Sequence, residues 1–382
     1  MPPLPKPSAD ALQHSLRLSA RIRDEIAAAG GWIDFARYME LALYAPGLGY
    51  YSAGAMKFGQ DGDFVTAPEI STLFGHTLAR QLAQVLTGGG DVLELGAGSG
   101  RLAVDLLSEL ERLDALPPRY FILEVSPDLR QRQHALLRER APRLAERVSW
   151  LESLPQRFKG AIVGNEVLDA LPVHLAVWRE DGLYQRGVEV HGENFAWRER
   201  PLTSGAAWEM AHRLDLAPGY LSEIAPAVPA LVRSLASSLE QGVLLLIDYG
   251  FGAAEYYHPQ RRLGTLMCHY RHHSHDDPFF LPGLQDITAH VDFSAAAAAG
   301  TEAGLDLLGY TSQAHFLLNC GLTDLLGQVG AEDAAAYLPL ANQAQALLSP
   351  AEMGDLFKAI AFGRGLGEPL RGFSRGDKSA AL

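Results

Sequence analysis

The sequence predicts an α/β fold: a mostly parallel sheet flanked by helices, preceded by a helical and loop-rich cap and interrupted by an inserted β meander. Three observations support it. From residue 91 onward, short apolar strands alternate with helical segments, the pattern of parallel strands joined by right-handed crossovers. The turn "GAGSG" joins the first of these strands to the first helix. A stretch of period-two alternation, 174–202, breaks the rhythm after the fourth strand.

Composition sets the class. The 382 residues hold 48% hydrophobic and 20% charged side chains, the balance of an ordinary soluble globular chain. A net charge of −13 repels phosphate backbones, so no nucleic acid is expected, and a basic protein or cationic group is the more natural partner. Two cysteines, Cys268 and Cys320, argue against a disulfide framework and fit a reducing cytosol. No apolar run approaches the roughly 20 residues that span a bilayer, so no membrane insertion is expected. The opening "MPPLPKPSADALQHSLRL" lacks a continuous apolar stretch, and the expected location is cytoplasmic.

In order along the chain, residues 1–8 are proline-rich and expected to be disordered. Leu12 to Ala29 has helical periodicity and stops at Gly30-Gly31. "GWIDFARYMELALYAPGLGYY" (31–51) reads as an amphipathic helix closed by a Pro-Gly turn, with Trp32, Phe35 and Tyr38 packing it. "GAMKFGQDGDFVTAPEIS" is a long aperiodic loop, and long loops in compact domains tend to be functional or disordered. The first domain is therefore set at 1–75, a helical cap with a lid loop, and the second at 76–382, with insertions at about 174–202 and 253–293. Ile70 to Leu86, across that boundary, is a helix; in the second domain "DVLEL", "YFILEV", "VSWL" and "GAIVGN" are strands. "VLLLIDYG" restores the sheet after the meander, and "LDLLGY" and "LFKAIAFGRG" supply its last two strands.

The glycine turn is the first motif with chemistry. Gly96, Gly98 and Gly100 are spaced G-x-G-x-G, one residue short of the dinucleotide fingerprint, and no Gly-Lys-Ser/Thr follows to make a P-loop. An acidic residue two before the first glycine, Glu94, is typical of the loop that binds S-adenosyl-L-methionine (SAM). Glycines there let the backbone approach a ligand closely, Ala97 sitting between the first two. Glu124 ends the next strand, where a carboxylate grips ribose hydroxyls, and Leu151 and Glu152 follow the third strand, beside the expected adenine.

"VGNEVLDALPVH" (163–174) aims Asn165, Glu166 and Asp169 out of the fourth strand. A metal, an acid/base pair or a cationic substrate could use them. The spacing of Glu166 and Asp169 puts both on one face if a helical turn starts there. "LQDITAHVDF" alternates if extended, with Asp286, Thr288, His290 and Asp292 on one polar face, which is wet if the strand is a half-exposed edge and otherwise lines a pocket; a helical reading pairs Asp286 with His290 instead. "CHYRHHSHDDP" fits no standard zinc spacing, so no metal is expected there; Tyr270 in it is a candidate substrate contact. Tyr249, after "LLID", is either a pocket wall or core.

With these motifs together ("YAPGLGYY", "GDFVTAPEIS", "LELGAGSG", "GNEVLDALPVH", "LLIDYG" and "PGLQDITAHVDF"), the chain resembles the MidA-like class I SAM-dependent methyltransferases, relatives of the mitochondrial complex I assembly arginine methyltransferase. The resemblance runs from about residue 30 to 320. It implies a Rossmann-like, seven-stranded methyltransferase sheet, SAM as cofactor, and methyl transfer to a protein side chain, arginine first. It also implies that Gly96, Gly98, Glu124 and Asn165 line the cofactor, with Thr66, Pro68 and Glu69 closing over its methionine end. Glu166 and Asp169 would hold a guanidinium, with His290 beside them and Tyr249, Tyr270, Asp286 and Thr288 lining the acceptor pocket. The alternatives are methylation of a small molecule or another amine, or a SAM-binding assembly factor without turnover.

Overall fold

The computed structural model describes residues 4–53, 66–330 and 332–382. Expectations for residues 1–3, and for the glycine-rich loop over residues 54–65, lie outside the described residues. The chain forms two compact units. The first comprises Val65–Val167, Leu231–Gly252 and Val291–Leu382; the second comprises Met1–Phe64, Leu168–Ala230 and Ala253–His290.

The first unit is built on one large sheet. Seven strands follow one path: Asp306–Ser312, Phe357–Arg364, Leu239–Phe251, Phe158–Asn165, Asp91–Leu95, Tyr120–Leu123 and Val148–Leu151. The last five are parallel to one another, and Phe357–Arg364 is antiparallel to both its neighbours. A two-residue strand, Val291–Asp292, adds in parallel to Leu239–Phe251 off that path. The sheet is therefore mixed and eight-stranded: mostly parallel, as expected, with Phe357–Arg364 reversed and Val291–Asp292 added to the seven strands of the path. Phe357–Arg364 is buried on both faces until its last residue, so its apolar run has no alternation to reveal its direction.

Helices Thr72–Leu86 and Arg101–Arg112 carry apolar stripes into the core of this unit: Leu78, Leu82, Leu102, Leu106 and Leu110 are 4% exposed or less. They approach closely because position 75 is glycine; a Cβ there would lie 2.6 Å from the Cβ of Asp105.

The second unit holds the meander. Gly182–His191 pairs antiparallel with His174–Arg179 and Asn194–Pro201, as the alternation of 174–202 predicted, and Ile33–Asp34 and Leu221–Ile224 complete a five-stranded sheet. Helix Ala9–Ala28 is capped by the Ser8 hydroxyl and buries Leu18, Ile22 and Ile26, one turn apart. The following helix is shorter than expected, Phe35–Tyr44, because Asp34 caps it after two residues in the sheet. Phe35 and Tyr38 are fully buried, the packing role expected of them. Met267–Tyr270, His273–His275 and Asp286–Thr288 form a separate three-stranded sheet.

Candidate active site

Strand register in the first unit lines up the residues just beyond the parallel strands. Leu95 pairs with Leu123 and Gly164, Leu123 with Leu151, and Ile247 with Asn165. Gly96, Glu124, Glu152, Asn165 and Asp248 therefore stand near one level, at the carboxyl ends of their strands. Strand order reverses at Asp91–Leu95, and open α/β sheets bind ligands in the crevice at such a point.

The glycine turn has the backbone its composition predicted: Gly96, Gly98 and Gly100 have φ of 57°, 53° and 88°, left-handed values that favour glycine. Gly96 donates its N–H to the Leu123 carbonyl (3.0 Å), tying the turn to the neighbouring strand, and Ala97 is buried. Glu94 is 2% exposed and accepts a 2.6 Å hydrogen bond from the Tyr120 hydroxyl. Burial pushes its carboxyl up to about 7, against the pull of that hydrogen bond. Ser99 accepts from the Arg101 N–H and donates to the Glu69 carboxylate, so the short helix Ala67–Ile70 is bonded to the glycine turn. Pro68 in that helix is buried and Thr66, before it, is half-buried.

Glu124 is 5% exposed, and its two oxygens accept from the Ser126 N–H (2.9 Å) and the Gln133 amide (3.2 Å). Burial raises its carboxyl above the ordinary range; the bonds from Ser126 and Gln133 oppose that. Leu151 is half-buried and its carbonyl accepts from Arg130 (2.9 Å), while Glu152 is exposed and 4.0 Å from the same arginine. Three further residues here had no sequence signal: Gln133, Tyr120 and Val125. Val125 follows Glu124 and is 72% exposed, an apolar side chain left in the open beside the carboxylate.

At the fourth strand tip, Glu166 adopts φ 52°. Its N–H donates to the Ile247 carbonyl (2.9 Å), and the next N–H, of Val167, donates to the Asp248 carboxylate (3.1 Å). Asp248 is fully buried, so this turn is pinned from the neighbouring strand. The left-handed residue forbids the helical turn expected to align Glu166 with Asp169; none forms over 166–170. The Asn165 amide donates to the Glu166 carboxylate (3.0 Å), and its buried Oδ1 accepts nothing. Tyr249 packs its ring against Phe357 (5.3 Å) and borders the core.

The remaining candidates lie in the second unit. Asp169 is 6% exposed and its carbonyl accepts from the Ala289 N–H (3.0 Å). Asp286 is 2% exposed and accepts from the Tyr51 hydroxyl at both oxygens (3.0 and 3.1 Å). Of the two alternatives for this polar face, the wet one does not hold: Asp286 and Thr288 are as buried as Ile287 and Ala289, and only Asp286–Thr288 is extended before a break at Ala289. The helical alternative for Asp286 and His290 is excluded by the same strand. Half-buried His290 donates its N–H to the Thr265 hydroxyl (3.1 Å), itself bonded to the buried carboxylate of Glu223. Tyr270 is 2% exposed and stacks edge-on to Phe280, in a hairpin whose turn residues Arg271 and His272 both have left-handed φ. Among the described residues, no three His, Cys, Asp or Glu side chains gather to hold a metal ion.

The residues of the first unit suit SAM. A vicinal ribose diol donates two hydrogen bonds, and each Glu124 oxygen, having accepted one bond, keeps capacity for another. The buried Asn165 Oδ1, with no donor of its own, fits a ligand N–H or O–H. The sequence profile of the S-adenosyl-L-methionine-dependent methyltransferase family Methyltransf_28 matches residues 73–311. The chain belongs to that family.

Similarity extends beyond the profile. A crystal structure from Burkholderia thailandensis, described as a COG1565 superfamily member and "likely methyl transferase" bound to S-adenosyl-homocysteine, is 52% identical over 100% of both chains with a TM-score of 0.97. A mitochondrial protein arginine methyltransferase NDUFAF7 homologue from Drosophila melanogaster is 30% identical, covering 94% of this chain and 88% of its own. The Danio rerio relative of the same name is 29% identical over 86% of this chain and 83% of its own. The protein is a SAM-dependent methyltransferase of an α/β fold with one large mixed sheet. The cytoplasmic location expected from the sequence does not stand, since these curated relatives are mitochondrial. Low cysteine content reports a reducing environment, not which compartment provides it.

Proposed function

We propose that this methyltransferase modifies the guanidinium of arginine in a protein substrate. One observation carries the reading: a half-buried carboxylate, Glu166, stands at a strand tip level with the glycine turn, its N–H held by the Ile247 carbonyl, the next N–H by Asp248, and its carboxylate oxygen by the Asn165 amide. The names of the curated relatives, protein arginine methyltransferase, point the same way. The donor supplies an electrophilic methyl on a sulfonium. What the protein must do is orient a poor nucleophile, because guanidinium charge is delocalised and its pKa exceeds about 12. A carboxylate accepting two parallel N–H bonds draws positive charge away from the remaining nitrogen and fixes its approach.

In this reading Gly96, Ala97, Gly98, Gly100, Glu94, Glu124, Leu151, Glu152 and Asn165 bind the cofactor, and Thr66, Pro68 and Glu69 cover its methionine end. Glu166 is the first acceptor carboxylate. Asp169 and His290 are read as catalytic partners, with Tyr249, Tyr270, Asp286 and Thr288 as acceptor contacts. Residues 1–75 are read as a cap and 76–382 as the methyltransferase domain. The seven-strand path is read as the class I methyltransferase sheet.

The test is transfer of labelled methyl from SAM into the proteins of a cell extract, followed by amino-acid analysis. Label on arginine, lost in Glu166→Gln and Asp169→Asn, is the expected result. Label on lysine or a metabolite would overturn the arginine acceptor.

A further inference from the structure

Behind the glycine turn, helix Pro127–Arg140 places one fully buried amide, Gln133. Its Nε2 donates to Glu124 Oε2 (3.2 Å) and to the Gly98 carbonyl (2.9 Å), and its Oε1 accepts from the Trp150 indole N–H (2.7 Å). An indole can only donate, so Trp150 fixes which end of the amide faces it and turns the NH2 toward Glu124 and Gly98. Gly100 admits the helix here: a Cβ on it would lie 3.1 Å from the Gln133 Cα and 3.2 Å from its Cγ. One side chain thus braces the carboxylate at one strand end and the glycine turn at the next.

We propose that Gln133 is a positioning residue for the cofactor ribose, its amide polarity set by Trp150, and that it aims the Glu124 carboxylate at the ribose diol. The proposal rests on Glu124 as the ribose acceptor. Four observations carry it: complete burial, a bond to each of the two cofactor-side groups, a donor that admits only one amide orientation, and a glycine that makes room. The Gln133 bond also favours the ionised form of Glu124 against burial; Arg130 is the cation facing that carboxylate, and Glu94 is a second acid near it.

The experiment measures binding of S-adenosylhomocysteine and of its 2′,3′-dideoxyribosyl analogue to the full chain by titration calorimetry. The ratio of the two affinities reports the diol alone. Gln133→Met removes the amide and keeps the length; it should cut the ratio about tenfold or more, the value of a hydrogen bond to a charged group. The ratio should also decay at a higher pH in this variant than in the wild type, because Glu124 then protonates sooner. Trp150→Phe, which leaves Gln133 in place, should cut the ratio in the same direction and serves if Gln133→Met does not fold. If Glu124→Gln lowers the ratio but neither variant does, Gln133 is structural only and the proposal is overturned. If Glu124→Gln leaves the ratio unchanged, the ribose reading of Glu124 falls, and this proposal falls with it. Equal losses for both ligands in Gln133→Met would mean the amide serves only the glycine turn, which also overturns it.

Discussion

Glu166 and Glu94 show how differently two carboxylates at neighbouring strand ends are set. Glu166 is half-buried and bonded to Asn165, and we propose that it holds the cationic acceptor; Glu166→Gln keeps the shape and removes the charge. Methyl transfer should fall about 100-fold or more while S-adenosylhomocysteine affinity stays within a few-fold, a kcat effect read by steady-state kinetics and calorimetry. Glu94 is buried against Tyr120 and pushed up to about 7. It binds its proton more tightly folded than unfolded, where the ordinary value is 4.5. Its contribution to stability is therefore complete below about pH 4.5 and is lost as pH rises through 7, by up to about 3 kcal/mol. Urea unfolding at a series of pH values should show wild type losing that much more stability across the window than Glu94→Gln. The types and spacing of Glu94, Glu124 and the three glycines were legible in the sequence because the turn imposes them locally. Gln133 and Asp248 were not, because each acts on a turn that is 35 or 81 residues away in the chain.

Among the elements, the glycine turn and the strand Phe158–Asn165 resist substitution for different reasons. Gly100→Ala meets a left-handed φ and the Gln133 Cα at 3.1 Å, and should cost about 1–3 kcal/mol and weaken S-adenosylhomocysteine binding. Gly160, where the fourth strand passes the first, is more severe: its Cβ would lie 2.0 Å from the Asp91 carbonyl oxygen, backbone that cannot swing aside. Gly160→Ala should cost about 3 kcal/mol or more without a separate effect on the cofactor, compared by denaturant unfolding and ligand titration of both variants. The segment 286–293 shows where periodicity misleads. Its alternation was real, but burial of Asp286 by Tyr51 and of Thr288 comes from partners more than 15 residues distant or on other strands, and these decide that the polar face is interior rather than wet.

For the whole molecule, ligand binding and surface charge are the measurable levers. S-adenosylhomocysteine at about 100 times its Kd should stabilise the fold by about 2.7 kcal/mol and raise Tm accordingly, a shift Glu124→Gln should reduce. A net charge of −13 should draw arginine-rich peptides, so kcat/KM for such a peptide should fall as salt rises from 50 to about 300 mM while kcat holds. The sequence by itself determined the α/β class, the meander, the methyl donor and the family, because strand rhythm, glycine conformation and the two acidic strand ends are set by neighbours within a few residues. Only the tertiary structure decided that the sheet is mixed, that Glu166 takes a left-handed turn in place of a helical one, and that Gln133 bonds both Glu124 and the glycine turn. Each of these depends on hydrogen bonds between segments remote in the chain, and no local pattern of residues reports which remote donor a buried acceptor will meet.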